Sequence, residues 1–433
     1  MDLIKFTLQQ VSYAIVEPSY AFILIMMAVV FYLKNKKTVT MEKMIMGKNT
    51  YSGFELTVSQ IVMGIFGGVI ASLLLTNMGV VFYESSNIYL LFFISVLLMM
   101  LNPKLVCFSY SGAILGLFSS FLYFLSLTLD KPSIYFLKVD ATPIILLVGV
   151  MHIVEGILVF FDGKRGAIPV FTGRDNKIAG GFAYRRQWIL PMIILMMMQS
   201  QGSAVTGSTV NVPNWWPLIN HSTNVEIFAA AVIGAIPLFA GVNYSTVTFT
   251  MEKNKKPLFS GILIAVYGIL MSALSLLGGI NPLLDIVLLI IMPLAHEYML
   301  YFDRMSEKKG NIKYVSSIDS MCVLDLAPYS MAKKMGFQRG DLILEINGRK
   351  ADSDEAVFRV LEAMPERIEV IVKRCDGTVK KLLGQVAGKR EPIGIVVVPR
   401  KFSGNVTVTS AGNGSFKDVL RKVKEKKDNQ EHK

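Results

Sequence analysis

The sequence predicts a polytopic α-helical membrane bundle followed by a small soluble α+β domain, and three observations carry that expectation. Of 433 residues, 52% are hydrophobic and only 18% are charged, with a mean hydropathy of +0.49. Soluble domains hold about a quarter of charged residues and less apolar side chain, so the composition excludes an ordinary soluble protein. The long apolar runs are confined to residues 15 to 302, whereas the remainder mixes charge with strand-like alternation. Lysine and arginine, finally, fall in alternate connections between the runs.

A hydrocarbon core of about 30 Å takes about 20 helical residues. Runs at 15–33, 56–76, 84–101, 105–129, 141–161, 188–205, 225–243, 258–278 and 282–302 are read as spans, which predicts about nine helices, seven at the fewest, within 1–302. The third and sixth are the weakest, because SSN interrupts the start of one and QSQGS closes the other early. Alternate connections carry Lys34, Lys36, Lys37, Lys43 and Lys48, then Lys104, then Lys164, Arg165, Arg174, Lys177, Arg185 and Arg186, then Lys253, Lys255 and Lys256. Those fifteen face Lys5, Lys131 and Lys138 on the other side, so the positive-inside rule predicts an outside N-terminus and a cytoplasmic C-terminal domain. The net charge of +12 is then explained by basic loops against an anionic leaflet, with no nucleic-acid partner expected. The first 18 residues lack a small-residue cleavage site and end in Glu17-Pro18, which argues against a removable signal peptide. Cys107, Cys322 and Cys375 form no CxxC pair and no disulfide framework.

After a linker at 303–310, the soluble part is legible from its punctuation. In MCVLDLAPYSMAKKMGFQRGDLILEINGRK, an apolar strand meets a turn at Pro328, a short helix ending at Gly336, a turn at Gly340-Asp341, a second strand and a hairpin at Asn347-Gly348. DSDEAVFRVLEAM supplies an N-cap at Asp352 or Ser353 and a helical apolar stripe that ends before Pro365. RIEVIVKR and TVKKLLGQV meet at an Asp376-Gly377 turn, and EPIGIVVVPR closes the unit. Over 311–401 these motifs resemble the PDZ domain in its bacterial, circularly permuted form; Tyr329 and Met331 depart from the Gly and Pro usual there. The resemblance implies a peptide-binding site in which the Pro392-Ile393-Gly394-Ile395 loop offers backbone N–H groups to a carboxylate, the strand from Ile395 pairs with an extended ligand, and Phe358 and Leu361 line the groove.

Ionisable residues inside the apolar runs are costly unless partnered. His296 and Glu297 look like the opening of a metalloprotease HExxH helix, in which two histidines one turn apart reach one zinc ion, but Leu300 stands where the second histidine belongs. The Asn-Pro and Leu-Asp elements typical of membrane-embedded zinc proteases come before this pair, at Asn281-Pro282 and Leu284-Asp285, with Ile286 in place of the glycine. His152 and Glu155 lie at similar depth in another span. His152, Glu155, Asp285, His296 and Glu297 are therefore expected to form an intramembrane polar cluster that hydrogen-bonds between helices, with a proton or metal role as the alternative. No metal, cofactor or catalytic residue is assigned.

HIVEGILVFFDGKRGAIPVF, GGFAYRRQWILPMII and NWWPL, with His152, Glu155, Gly163, Pro169, Trp188, Pro191 and Trp215-Trp216-Pro217, resemble the MinJ family of cell-division topological determinants of Gram-positive bacteria. That family shares the order of parts, a polytopic domain and then a cytoplasmic PDZ domain. The resemblance implies a non-enzymatic scaffold at the septum and poles, linking the coiled-coil protein DivIVA to the ATPase MinD. A different class remains open: an inactive relative, or a PDZ regulator, of an intramembrane metalloprotease. Beyond the PDZ-like unit, a Gly/Ser-bearing linker at 402–415 leads to a basic tail at 416–433. There Phe416, Val419, Leu420 and Val423 make an apolar stripe, and Lys417, Arg421, Lys422, Lys424, Lys426 and Lys427 occupy the other faces, so the tail is expected to lie on an anionic membrane surface.

Overall fold

A computed structural model of the chain describes residues 2–83, 86–101, 105, 107–174, 176–198, 216–218, 232–362, 367–385 and 393–401. The expected linker and basic tail, with Lys417, Arg421, Lys422, Lys424, Lys426 and Lys427, lie outside the described residues, as does Pro392. The N-terminal region holds α1 (Asp2–Val16), α2 (Pro18–Met46), α3 (Gly53–Met78), α4 (Tyr89–Leu101), α5 (Phe108–Thr128), α6 (Ala141–Asp162), α7 (Lys255–Leu274) and α8 (Pro282–Lys309). Among the described residues six of them, α2, α3, α5, α6, α7 with its 3-10 extension to Leu277, and α8, are long and apolar enough to cross a membrane. Local chemistry sets their ends. Glu17 accepts hydrogen bonds from the Ser19 and Tyr20 amides ahead of a proline-initiated α2, and Ser52 with Glu55 forms a capping box on α3.

Helix α6 is buried along most of its length, including Ile144, Val148, Val150, Val154 and Leu158. A helix that is apolar all round belongs at the centre of a bundle, and α3, α5, α7 and α8 pack around it. Its seam with α7 admits no side chains at the closest points. A Cβ on Gly156 would stand 2.6 Å from the carbonyl oxygen of Gly261, and one on Gly268 2.5 Å from that of Gly149.

Two of the expected helical spans are strands. The described parts of the runs at 188–205 and 225–243, residues 188–198 and 232–243, fall on β3 (Lys177–Met198) and β4 (Val232–Thr248), paired antiparallel from Phe182↔Thr248 to Met198↔Val232. The short β2 (Ile168–Arg174) pairs antiparallel with the start of β3, and β1 (Val81–Tyr83) pairs parallel with its far end. The count of about nine helices is corrected accordingly, and the third run yields only the 13-residue α4.

Backbone polar groups at membrane depth must be satisfied within the protein. β3 meets this by pairing with β4 over Phe182–Met198 and by running along α3, where Gly64 faces Ile189, Gly68 faces Pro191, and the Ser72 hydroxyl accepts from the Ile193 amide at 3.0 Å. Four helical residues rise about 6 Å and two strand residues about 6.6 Å, so a small residue every fourth position on α3 stays in step with every second residue of β3. At the start of this seam Arg186, 1% exposed, donates to Asp162 at the end of α6 and to the Ser59 hydroxyl and Leu56 carbonyl of α3. Trp188 adds a 2.8 Å bond to the same carboxylate.

The stretch 303–310, expected as a linker, is instead the last turns of α8, closed at Gly310. Asp303 receives Lys256 at 2.8 Å, and Glu307 accepts from the Phe249 and Thr250 amides. Beyond it the second domain contains β5 (Tyr314–Val315), β6 (Met321–Leu326), α9 (Met331–Met335), β7 (Leu342–Ile346), β8 (Arg349–Lys350), α10 (Asp354–Glu362), β9 (Arg367–Lys373), β10 (Val379–Gln385) and β11 (Ile395–Val397). Its main sheet has the order β10-β9-β7-β6-β11 around Val323, Ile343, Val357, Ile368, Val370 and Val372. The predicted turns are in place: Asn347 and Gly348 have positive φ, as does Gly377.

The second domain is joined to the first by more than the chain. β5 pairs with Ala179 and Gly180 of β3, Tyr314 stands edge-on to Phe182, and the buried Asp325 takes Lys253 at 2.7 Å and Arg339 at 2.6 Å. Leu324 and Val398 share the core of the membrane domain.

Candidate functional site

Two sites are built by this fold. The first is the surface between β11 and α10 of the second domain, where a peptide was expected to bind. Gly394 adopts φ +74°, and a Cβ there would lie 2.4 Å from that of Ser330. Its carbonyl accepts from Ala327, and that of Ile393 accepts from Ala332, so the loop is fixed against the start of α9. β11 is an edge strand of the described sheet, paired on one side to β6. Arg400, just beyond it, donates to both Asp354 oxygens at the start of α10 and holds strand and helix together. On α10 Val357 is buried and Phe358 is 38% exposed, the pattern of a helix with one face in the core and one side chain free for contact. The side chain of Leu361 lies outside the described residues. Helix α2 approaches β11 as well, which sets this groove beside the membrane domain. Cys322, 2% exposed on β6, has its thiol pushed up to about 12 by burial, so it is an inert packing residue.

The second site lies between α5, α6 and α8. Here His152 and His296, expected at similar depth, do meet, with ring centroids 5.3 Å apart. Both are buried, at 2% and 7% exposure. Between them stands Cys107, the N-cap of α5, with Sγ 3.2 Å from Nε2 of His152 and 3.6 Å from Nε2 of His296. The sequence reading missed this residue because a lone cysteine in an apolar run looks like a small hydrophobe. The outer ring nitrogens are also engaged. Nδ1 of His152 is 2.7 Å from the Val148 carbonyl, and Nδ1 of His296 is 3.2 Å from the Tyr110 hydroxyl. Tyr110 donates to Glu297, and Tyr267 packs edge-on to both imidazoles.

Three of the predicted cluster members take other places. Glu297 is on the periphery, joined to His296 only through Tyr110 and paired with Arg304 at 3.5 Å. Glu155 is half-buried one turn beyond His152, near enough for its charge to bear on Cys107 and Tyr267 but outside the Cys107–His152–His296 group. Asp285 accepts from the Gly279 amide at 2.8 Å in the first turn of α8, eleven residues and about 16 Å along the axis from His296, so it belongs to the helix start and not to the cluster.

No curated protein matches the chain. The PDZ domain family model matches residues 323–374, the segment from β6 through β9 that carries the Gly340-Asp341 turn, the Asn347-Gly348 hairpin and α10. With six membrane-capable helices ahead of it, the chain is a polytopic membrane protein that carries a PDZ domain at its C-terminal end, built for protein–protein interaction.

Proposed function

We propose that this chain is a non-enzymatic membrane scaffold that places the division site, presenting its PDZ groove at the cytoplasmic face. The observation that carries the reading is the edge strand β11 beside α10, held close to the membrane domain by the β5–β3 pairing and the Lys253–Asp325–Arg339 link. An edge strand beside a helix accepts an extended peptide by main-chain pairing, and a rigid mount keeps the captured partner at the bilayer. By its resemblance to the MinJ family, the partners are a DivIVA-like coiled-coil protein and a MinD-like ATPase. The orientation rests on the lysine and arginine bias, and the nine-crossing parity holds when β3 and β4 take the place of two helices and α4 keeps the place of the third. Reporters inserted at Arg174 or after Lys433 should then be cytoplasmic and one at Lys131 should face outward.

A fluorescent fusion of the full chain should concentrate at septa and poles, and Phe358→Ala should reduce capture of the PDZ partner at least tenfold without changing membrane abundance. Uniform membrane fluorescence would remove the division role. Undiminished capture by the variant would place the partner elsewhere on the domain. A second reading, an inactive relative or PDZ regulator of an intramembrane metalloprotease, draws on the meeting of His152 and His296; cleavage of a membrane substrate by an associated protease that is lost in His296→Ala at unchanged abundance would favour the regulator.

A further inference from the structure

The geometry points to a single thiophilic divalent metal ion, Zn2+ by its donor set, bound by Cys107 Sγ, His152 Nε2 and His296 Nε2. Three features converge on this assignment. The ligand atoms all lie within 4.8 Å of one another. Their sulfur–nitrogen separations of 3.2 and 3.6 Å match the edge of a zinc tetrahedron, about 3.5 Å for Zn–S near 2.3 Å and Zn–N near 2.0 Å. The third separation, between the two Nε2 atoms, falls within the same 4.8 Å bound.

The second feature is the tautomer each histidine is forced to adopt. A carbonyl oxygen only accepts, so Nδ1 of His152 carries the proton in its bond to Val148. The Tyr110 hydroxyl spends its proton on Glu297, so its oxygen accepts from Nδ1 of His296. Both Nε2 atoms therefore present lone pairs to the same sulfur. A thiol has one proton and can satisfy one of them; a cation satisfies both and takes the thiolate as its third ligand. Binding would release the Cys107 proton, and Cys− with two neutral imidazoles leaves one net positive charge on the site.

The third feature is the support behind the ligands. Metal-bound histidines ordinarily donate their other N–H to a carbonyl or carboxylate, which fixes ring orientation and raises basicity. Val148 does this directly for His152, and the Tyr110–Glu297 relay does it for His296. Tyr267 holds both rings edge-on and is itself anchored to the Met292 carbonyl at 2.9 Å and to the Ser109 hydroxyl at 3.0 Å. Three protein ligands leave the fourth position of a tetrahedron for water or another small donor. The ion would clip α5, α6 and α8 together, and α8 runs on to the PDZ domain. The assignment is independent of the scaffold reading, since a structural clip serves an adaptor and an enzyme alike.

The test uses the full chain purified in detergent, stripped with a chelator and titrated with Co2+, whose visible bands report geometry and whose near-ultraviolet charge transfer reports a bound thiolate. One equivalent should bind with a tetrahedral spectrum and a thiolate charge-transfer band, and Zn2+ should displace it. Cys107→Ser, a change of one atom, should abolish the charge-transfer band. His152→Ala and His296→Ala should each weaken binding at least tenfold, with circular dichroism checking that the bundle is intact. Should His152→Ala fail to fold, Cys107→Ser alone still decides the matter through the missing band. No saturable Co2+ binding, an octahedral spectrum, or a charge-transfer band that survives in Cys107→Ser would each overturn the assignment.

Discussion

At the residue scale, the chain shows where side-chain chemistry overrides backbone preference. Tyr329 sits at φ +54° with 87% of its surface exposed, at a position where the resemblance to PDZ domains leads one to expect glycine. The left-handed conformation costs an L-residue about 1–2 kcal/mol, and so exposed a ring recovers little of it by packing. Tyr329→Gly should therefore stabilise the domain by about 0.5–1 kcal/mol, the strain relieved less the entropy of a glycine in the unfolded chain. Tyr329→Ala, which keeps the Cβ, should give no such gain. Equal denaturant midpoints for the two variants would mean the backbone there is not strained. Other residues were legible only in part. His152 and His296 stand out in sequence as ionisable groups in apolar runs, but Cys107 does not, because nothing local distinguishes a ligand from a small apolar filler. Asp285 misled for the opposite reason: eleven residues place it on the face of His296, yet its carboxylate is used by the turn at Gly279.

At the element scale, the clearest departure from expectation is the pair of strands at 188–198 and 232–243. WILPMIILMMM is continuously apolar because β3 is enclosed, with Leu190, Met192, Ile193, Ile194 and Leu195 all buried. Strands covered on both faces lose their alternation and cannot be told from helices by periodicity. The sequence signals that distinguish them were present but weak: Pro191 inside the run, Pro237 and Gly241 in the next, and the apolar/non-apolar alternation of Ala240-Gly241-Val242-Asn243-Tyr244, which the burial follows. What admits β3 is the small-residue face of α3. A Cβ at Gly68 would stand 2.1 Å from the carbonyl oxygen of Pro191, and that backbone cannot swing away as a side chain would. Gly68→Ala should cost about 1–3 kcal/mol, read as a lowered melting temperature of the detergent-purified chain. Gly173→Ala, with nothing near its added methyl, should stay within about 0.5 kcal/mol of the parent. If both variants melt alike, α3 and β3 do not make the close contact that a methyl at Gly68 would break.

At the scale of the whole molecule, the PDZ domain behaves as a docked part, held where the turn after β4 meets β5. Glu252 belongs to that junction and pairs with Lys313 at 2.6 Å. Its carboxyl is held below the usual glutamate range, first by the Lys313 hydrogen bond and then, against the opposing effect of burial, by Lys255. A depressed folded-state value means the pair contributes fully above about pH 4.3 and is lost as the pH falls through the lower folded value. An exposed pair of this kind is worth about 0.2–1 kcal/mol. Amide exchange at Tyr314 and Val315, corrected for intrinsic rate, should accelerate up to about fivefold on acidification through that window, and Glu252→Gln should exchange fast throughout. Identical pH profiles for parent and variant would exclude the pair from docking. The sequence by itself determined the division into an apolar region and a PDZ domain, the turns of that domain and the depth of both histidines, because composition, turn chemistry and span length are local properties. Tertiary structure decided that two apolar runs are strands, that α8 leaves no flexible linker, and that a cysteine joins the histidines. Each of these depends on which surfaces meet: an apolar run becomes strand or helix according to what encloses it, and a ligand set exists only when separate helices bring its members to one point.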